Sequence, residues 1–152
     1  MDYGAWSGSI LGKRLVRIDR VYFEHGDTVD RSNGAVVLTF RDGSVLRFDS
    51  GPDGEGIVVE DSPWVDPFRE TLTAQNREFI STSGKWTRYD ETERPPYSDF
   101  VGSTVTNTVE VATESGKPTG YVISTDVGSI ETIVEWDELL VRLLKFRIAP
   151  NE

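Results

Sequence analysis

The sequence predicts an all-β, mainly antiparallel fold in which two internally duplicated β-meander units form a sandwich or a small barrel. Three observations lead to it. GAVVLTFRDGSVLRF at 34–48 and GYVISTDVGSIETIV at 120–134 write nearly the same hairpin twice. Asp42-Gly43, set between two apolar runs, is a strong two-residue hairpin signal, because both turn positions must tolerate positive φ. TVTNTVEV at 104–111 alternates apolar and polar residues with period two, the pattern of a half-buried strand.

The duplication extends beyond the hairpins. Displaced by about 90 residues, Gly12, Val21, Glu24 and Gly26 fall on Gly102, Val111, Glu114 and Gly116. After a short deletion, Gly34, Val36 and Thr39 fall on Gly120, Val122 and Thr125, and Gly43-Ser44-Val45 falls on Gly128-Ser129-Ile130. Glycines and β-branched residues sit where backbone geometry and strand packing are most restrictive, so the matches mark architecture and not chemistry. The copies run over about 11–59 and 101–146, in a single domain of 152 residues.

In the first copy a strand over 15–23 leads through a polar loop at 26–34 to the hairpin 35–49. A two-residue turn there pairs Phe40 with Val45, Leu38 with Arg47 and Val37 with Phe48, with apolar residues covered on both faces. In the second copy the alternation sends Val105, Val109 and Val111 inward and Thr104, Thr106, Thr108 and Glu110 outward. WDELLVRLLKF at 136–146 clusters its leucines as a helix does, but its counterpart PDGEGIVVED carries Pro52, Gly54 and Gly56 and cannot be helical. Parity therefore makes 136–146 a strand. Between the copies, segment 60–100 is proline-rich and polar. One short helix is expected there, with Asp66 as cap, Pro67 at the first position and Phe68, Leu72 and Phe79 at near-helical spacing.

Composition excludes several classes of function. No apolar run approaches the ~20 residues of a membrane span, and the first residues have no secretory pattern. Cysteine is absent, which removes disulfides, thiol catalysis and thiolate zinc sites, and a cytoplasmic protein is expected. The net charge of −10 lies entirely in the last two thirds: residues 1–50 balance seven bases with seven acids, while 51–99 set five against eleven and 100–152 set four against eight. Such a surface repels nucleic-acid phosphates and anionic membranes and attracts basic partners. Lys13, Arg14, Arg17 and Arg20 cluster on the first strand, but Asp19, Glu24 and Asp27 make that a surface patch of mixed sign.

No catalytic or cofactor motif stands out, and no enzyme, cofactor or metal is expected. DSGPDGEG at 49–56 resembles fragments of calcium loops, yet Gly51 occupies the first alternate ligand position and the closing acid is missing. The single histidine, His25, has no Gly-x-Ser-x-Gly elbow to serve, and phosphate-binding glycine motifs do not occur. What remains is acid combined with aromatic. Segment 60–100 carries Trp64, Trp86, Tyr89 and Tyr97 among many carboxylates, and Trp86, Tyr89, Asp90, Glu91, Glu93 and Tyr97 are the candidate partner-binding residues, since interface centres are enriched in Trp and Tyr and rim charges accelerate encounter.

In length, acidity, lack of cysteine, compact β repeat and GSVLRF-type hairpins, the chain resembles the small acidic bacterial immunity proteins that neutralise polymorphic or contact-dependent toxins. That resemblance implies stoichiometric inhibition, in which an acidic, aromatic-studded surface covers a basic site on a cognate toxin such as a nuclease. The alternatives are a structural or assembly module using its β-edges, and a small-ligand-binding β-barrel without catalysis, whose mark is a concave pocket lined by Trp and carboxylates.

Overall fold

Eleven residues rich in β-branched and aromatic side chains, LVRIDRVYFEH, form β1 (Leu15–His25), the strand on which the first sheet is built. In this computed structural model, which describes residues 1–69 and 72–147, β1 is bordered on one side by β2 (Thr28–Asp30) and β3 (Val36–Phe40) and on the other by β6 (Lys85–Asp90). β4 (Val45–Ser50) and β5 (Ile57–Glu60) continue the sheet beyond β3. A second sheet is a meander of β7 (Val105–Ala112), β8 (Pro118–Thr125), β9 (Gly128–Glu135) and β10 (Glu138–Lys145). All pairings are antiparallel. The sheets form an open, sandwich-like pair, not a closed barrel.

One contiguous core joins them. Phe48 from the first sheet and Tyr121 from the second both meet Trp6, with ring centroids 5.6 and 5.0 Å apart in edge-on contacts. Trp6 belongs to α1 (Tyr3–Ile10), a helix the sequence pattern does not announce. Its Asp2 cap makes no side-chain hydrogen bond, so its stability comes from burying Trp6 and Ile10, one turn apart, over the open end of the sandwich. The sheets are also joined through the backbone. Gly12 N–H donates to the Val105 carbonyl (2.9 Å) and Gly102 N–H to that of Leu15 (2.6 Å). Likewise, Leu15 N–H donates to Ser103 (2.8 Å) and Val105 N–H to Lys13 (2.9 Å).

The 136–146 run is a strand over Glu138–Lys145, as expected. Four expectations need correction. The β3–β4 turn has three residues, not two: Phe40 N–H donates to Ser44 O and Gly43 N–H to Phe40 O, both at 2.9 Å. Gly43 alone takes positive φ (87°), and Asp42 instead uses its carboxylate to accept from the Ser44 amide (2.9 Å). That makes a type I turn with a glycine bulge, so Leu38 faces Leu46, Val37 faces Arg47 and Val36 faces Phe48. In β7 an irregularity between Val105 and Asn107 flips the alternation, so Val105 is buried while Val109 and Val111 are exposed. The middle helix, α2, spans Ala74–Ser83 with Thr73 as its cap; Asp66 bonds the Phe68 amide (2.8 Å) in a local turn that does not continue into helix. Arg20 is not on the surface: it is 2 % exposed, its guanidinium hydrogen-bonding to the Gly34 and Ala35 carbonyls and the Tyr97 hydroxyl.

Because Phe48 is fully enclosed at the junction of both sheets and α1, Phe48→Ala is expected to lower the free energy of unfolding by about 3–5 kcal/mol. Denaturant melts of the two proteins measure it.

Candidate functional site

The six sequence candidates do not share one surface. Along β6, side chains alternate between the two faces of the ladder with β1. Trp86 lies on one face, 42 % exposed, its ring against Phe23 at 5.5 Å. Tyr89 lies on the other, where it donates to Glu24 (2.7 Å) and meets Tyr22 at 5.7 Å. The bond to the Glu24 carboxylate, with burial, raises the Tyr89 phenol above its ordinary pKa. Asp90 is exposed, and bonds from Thr92 hold its carboxyl below the usual range. Glu91 is 3 % exposed and pairs with Arg31 (3.0 Å) and Arg94 (3.5 Å). Glu93 is exposed, whereas Tyr97 is half-buried and takes a 2.7 Å hydrogen bond from Arg20.

A different aromatic stands clear of the body. β9 and β10 are joined by Trp136 and Asp137, both at positive φ (50° and 67°), a two-residue turn of the type that normally demands Asn-Gly. Trp136 is 93 % exposed. Glu135 and Glu138 are directly opposed in the register, placing like charges against each other at the base of the turn. Neither forms an ion pair among the described residues. The tip is nevertheless anchored. Asp137 N–H donates to Gly54 O (3.0 Å), and the Asp137 carboxylate lies so close over Gly54 that a side chain at that position would collide with it. Leu139 O accepts from Gly34 N–H (3.0 Å). Sequence reasoning passed over Trp136 because it placed the whole of 136–146 in a strand. The signal was the polar pair at its start, Trp136-Asp137, between two strand-like runs.

Behind the tip lies a cavity of about 520 Å³ on the outer face of the first sheet, covered by residues 64–68 and 79–84. The sheet supplies Phe23 and Trp86, and the overlying segment supplies Trp64, Phe68 and Phe79, with Phe68 and Phe79 centroids 6.1 Å apart. Lys85 at its wall is already engaged with Asp66 (2.6 Å). Asp49 and Asp137 also line it, and neither forms an ion pair among the described residues. Burial pushes the Asp49 carboxyl above its ordinary pKa, against the Ser50 amide bond and the charge of Arg47, which pull it down. Asp137 therefore belongs to both the tip and the cavity. Among the described residues no cluster of three or more acids and histidines is placed to hold a metal ion, and no helix is long and apolar enough to cross a membrane.

No family model, curated protein or solved structure matches the chain.

A carboxyl whose folded pKa is raised binds its proton more tightly folded than unfolded, so it lowers stability as pH rises from the unfolded value through the folded one. Asp49→Asn removes that loss. The variant is expected to melt above the parent at pH 7, with the difference closing below about pH 4, where both states carry the proton. Melting temperatures across pH 3–8 read it directly.

Proposed function

We propose that this protein is a protein-binding inhibitor, an immunity protein that neutralises a cognate bacterial toxin by covering a basic site on it, and that the β9–β10 tip is the centre of its contact surface. One observation carries the reading: Trp136, almost wholly exposed, is held in a left-handed turn between two unpaired, mutually repelling glutamates. An L-residue in that conformation costs about 1–2 kcal/mol, and opposed like charges add to the cost. The Asp137–Gly54 contacts hold the turn, but among the described residues no cation pairs with either glutamate. A basic partner supplies one: its cations neutralise the carboxylates, and its surface takes up the indole, the side chain most often found at the energetic centre of interfaces. The net charge of −10 supports the same partner through long-range attraction, which speeds encounter and fades with salt. Trp86 is exposed across the cavity from the tip, and Asp90 and Glu93 add exposed acid at the end of β6 and just beyond it.

The test uses the product of the reading frame adjacent to this gene, expressed in cells with and without the protein. Growth arrest by the neighbour and rescue by this protein are expected. Trp136→Asn keeps the turn, since asparagine tolerates positive φ, and is expected to stabilise the protein by about 1 kcal/mol. The same variant is expected to weaken the complex at least 30-fold, the scale of about 2 kcal/mol at an interface centre. Rescue and affinity unchanged in Trp136→Asn overturn the assignment of the tip, and a neighbour that neither arrests growth nor binds overturns the inhibitor reading.

Glu135→Lys separates steering from packing. A cross-strand Lys–Glu pair is expected to stabilise the hairpin by roughly 0.2–1 kcal/mol while slowing association with the basic partner. Stopped-flow association at low and high salt measures it, the parent and the variant converging as salt rises.

A further inference from the structure

We infer that the cavity behind the tip is a binding site for an organic ammonium ion carrying an apolar body, a ligand distinct from the protein partner proposed above. Two independent features point to this chemistry. The first is the wall. Trp64, Trp86, Phe23, Phe68 and Phe79 surround a space of about 520 Å³, large enough for a ligand of drug-like size. Trp86 and Phe79 in its wall remain 42 % and 53 % exposed. Apolar side chains left exposed around a formed cavity are the usual signature of a site for something else.

The second feature is charge. The two carboxylates in the lining, Asp49 and Asp137, have no ion-pair partner among the described residues, and the lysine in the wall is neutralised by Asp66. Asp49 is held in place by the Ser50 amide at 2.8 Å, and Asp137 by the turn and by Gly54. Both stay fixed without an ion pair among the described residues, and although the charge of Arg47 acts on Asp49, the lining keeps an excess of negative charge. An anion is repelled there. A small hydrated metal ion gains nothing from five aromatic rings, whose faces displace its water without replacing it. A weakly hydrated ammonium with an apolar body satisfies both features: ring faces attract the cation, the carboxylates neutralise it, and the body fills the remaining volume.

The test uses the isolated full-length chain and two probes of the same skeleton. One is benzyltrimethylammonium; the other is the neutral 2-methyl-1-phenylpropan-2-ol. Binding is followed through the four tryptophan indole N–H signals in a ¹⁵N-labelled sample. The cation is expected to shift Trp64 and Trp86, to leave the buried Trp6 unmoved, and to bind about tenfold tighter than the alcohol. Asp49→Asn with Asp137→Asn preserves the strand at 49 and the turn at 137, because asparagine can accept the same Ser50 amide bond and tolerates positive φ, and is expected to erase the preference while the alcohol still binds. Equal affinity for the two probes, an unchanged preference in the double variant, shifts confined to other tryptophans, or no binding of either probe each overturns the site. None of these readouts involves a protein partner, so their failure leaves the inhibitor reading standing, and the reverse holds too.

Discussion

A buried guanidinium organises this structure. Arg20 is enclosed in β1, and among the described residues no carboxylate pairs with it. A charge in that position is tolerable only if its nitrogens find acceptors. Here the acceptors come from separate parts of the chain: the Gly34 carbonyl (3.1 Å) and Ala35 carbonyl (3.4 Å) before β3, and the Tyr97 hydroxyl (2.7 Å) at the end of the connecting segment, with the Tyr22 ring beneath at 5.1 Å. Fixing the Gly34 peptide has a further consequence, because its N–H holds Leu139 at the start of β10. The chain of constraint thus runs from a strand of the first sheet to the tip of the second. The exposed Trp136 is presented from a rigid base.

The same logic explains why part of the acidic segment is spent internally. Arg31 lies over the neighbouring rings of Tyr22 and Tyr89, at 5.1 and 5.2 Å from their centroids, and pairs with Glu91. Burial and its hydroxyl contact with Tyr97 raise the Tyr22 phenol, keeping it neutral and available as a π-face for two cations. This layered arrangement ties β1, β6 and the 91–97 turn together. Its acids serve the fold. The acids at the β9–β10 tip and in the cavity take no part in this arrangement.

Much of the fold was legible because β structure writes its period into the sequence. The long apolar runs of both meanders could be read as strands, the leucine-rich run at 138–145 among them. What escaped was set by contacts distant in sequence. The β7 irregularity depends on how Val105 docks beside Lys13, and no local pattern records it. Arg20 looked like one of four surface bases because its acceptors lie 14 and more residues away. Glu91 looked available because its principal cation is 60 residues earlier. α1 has only two buried residues to announce it.

The four residues Glu135-Trp136-Asp137-Glu138 form a local conflict in an otherwise consistent molecule. Elsewhere, turn chemistry agrees with turn geometry: Gly43 takes the left-handed position, and Asp42 and Asp53 each accept the amides that follow them. At the tip a bulky aromatic takes a left-handed position, and two carboxylates face each other where an opposite pair is favoured. Sequences that fold well are consistent across levels, and a concentrated exception marks a place where something besides folding determines the residues. Three of the four are acids, and the fourth is the side chain best suited to bury itself in another molecule. Relief of the conflict therefore requires positive charge and an apolar recess presented together, which water and simple ions do not supply. In the proposed reading that requirement defines the partner more narrowly than net charge does, because acid spread over the surface attracts any base, whereas an indole presented from an anchored turn between opposed glutamates discriminates by shape.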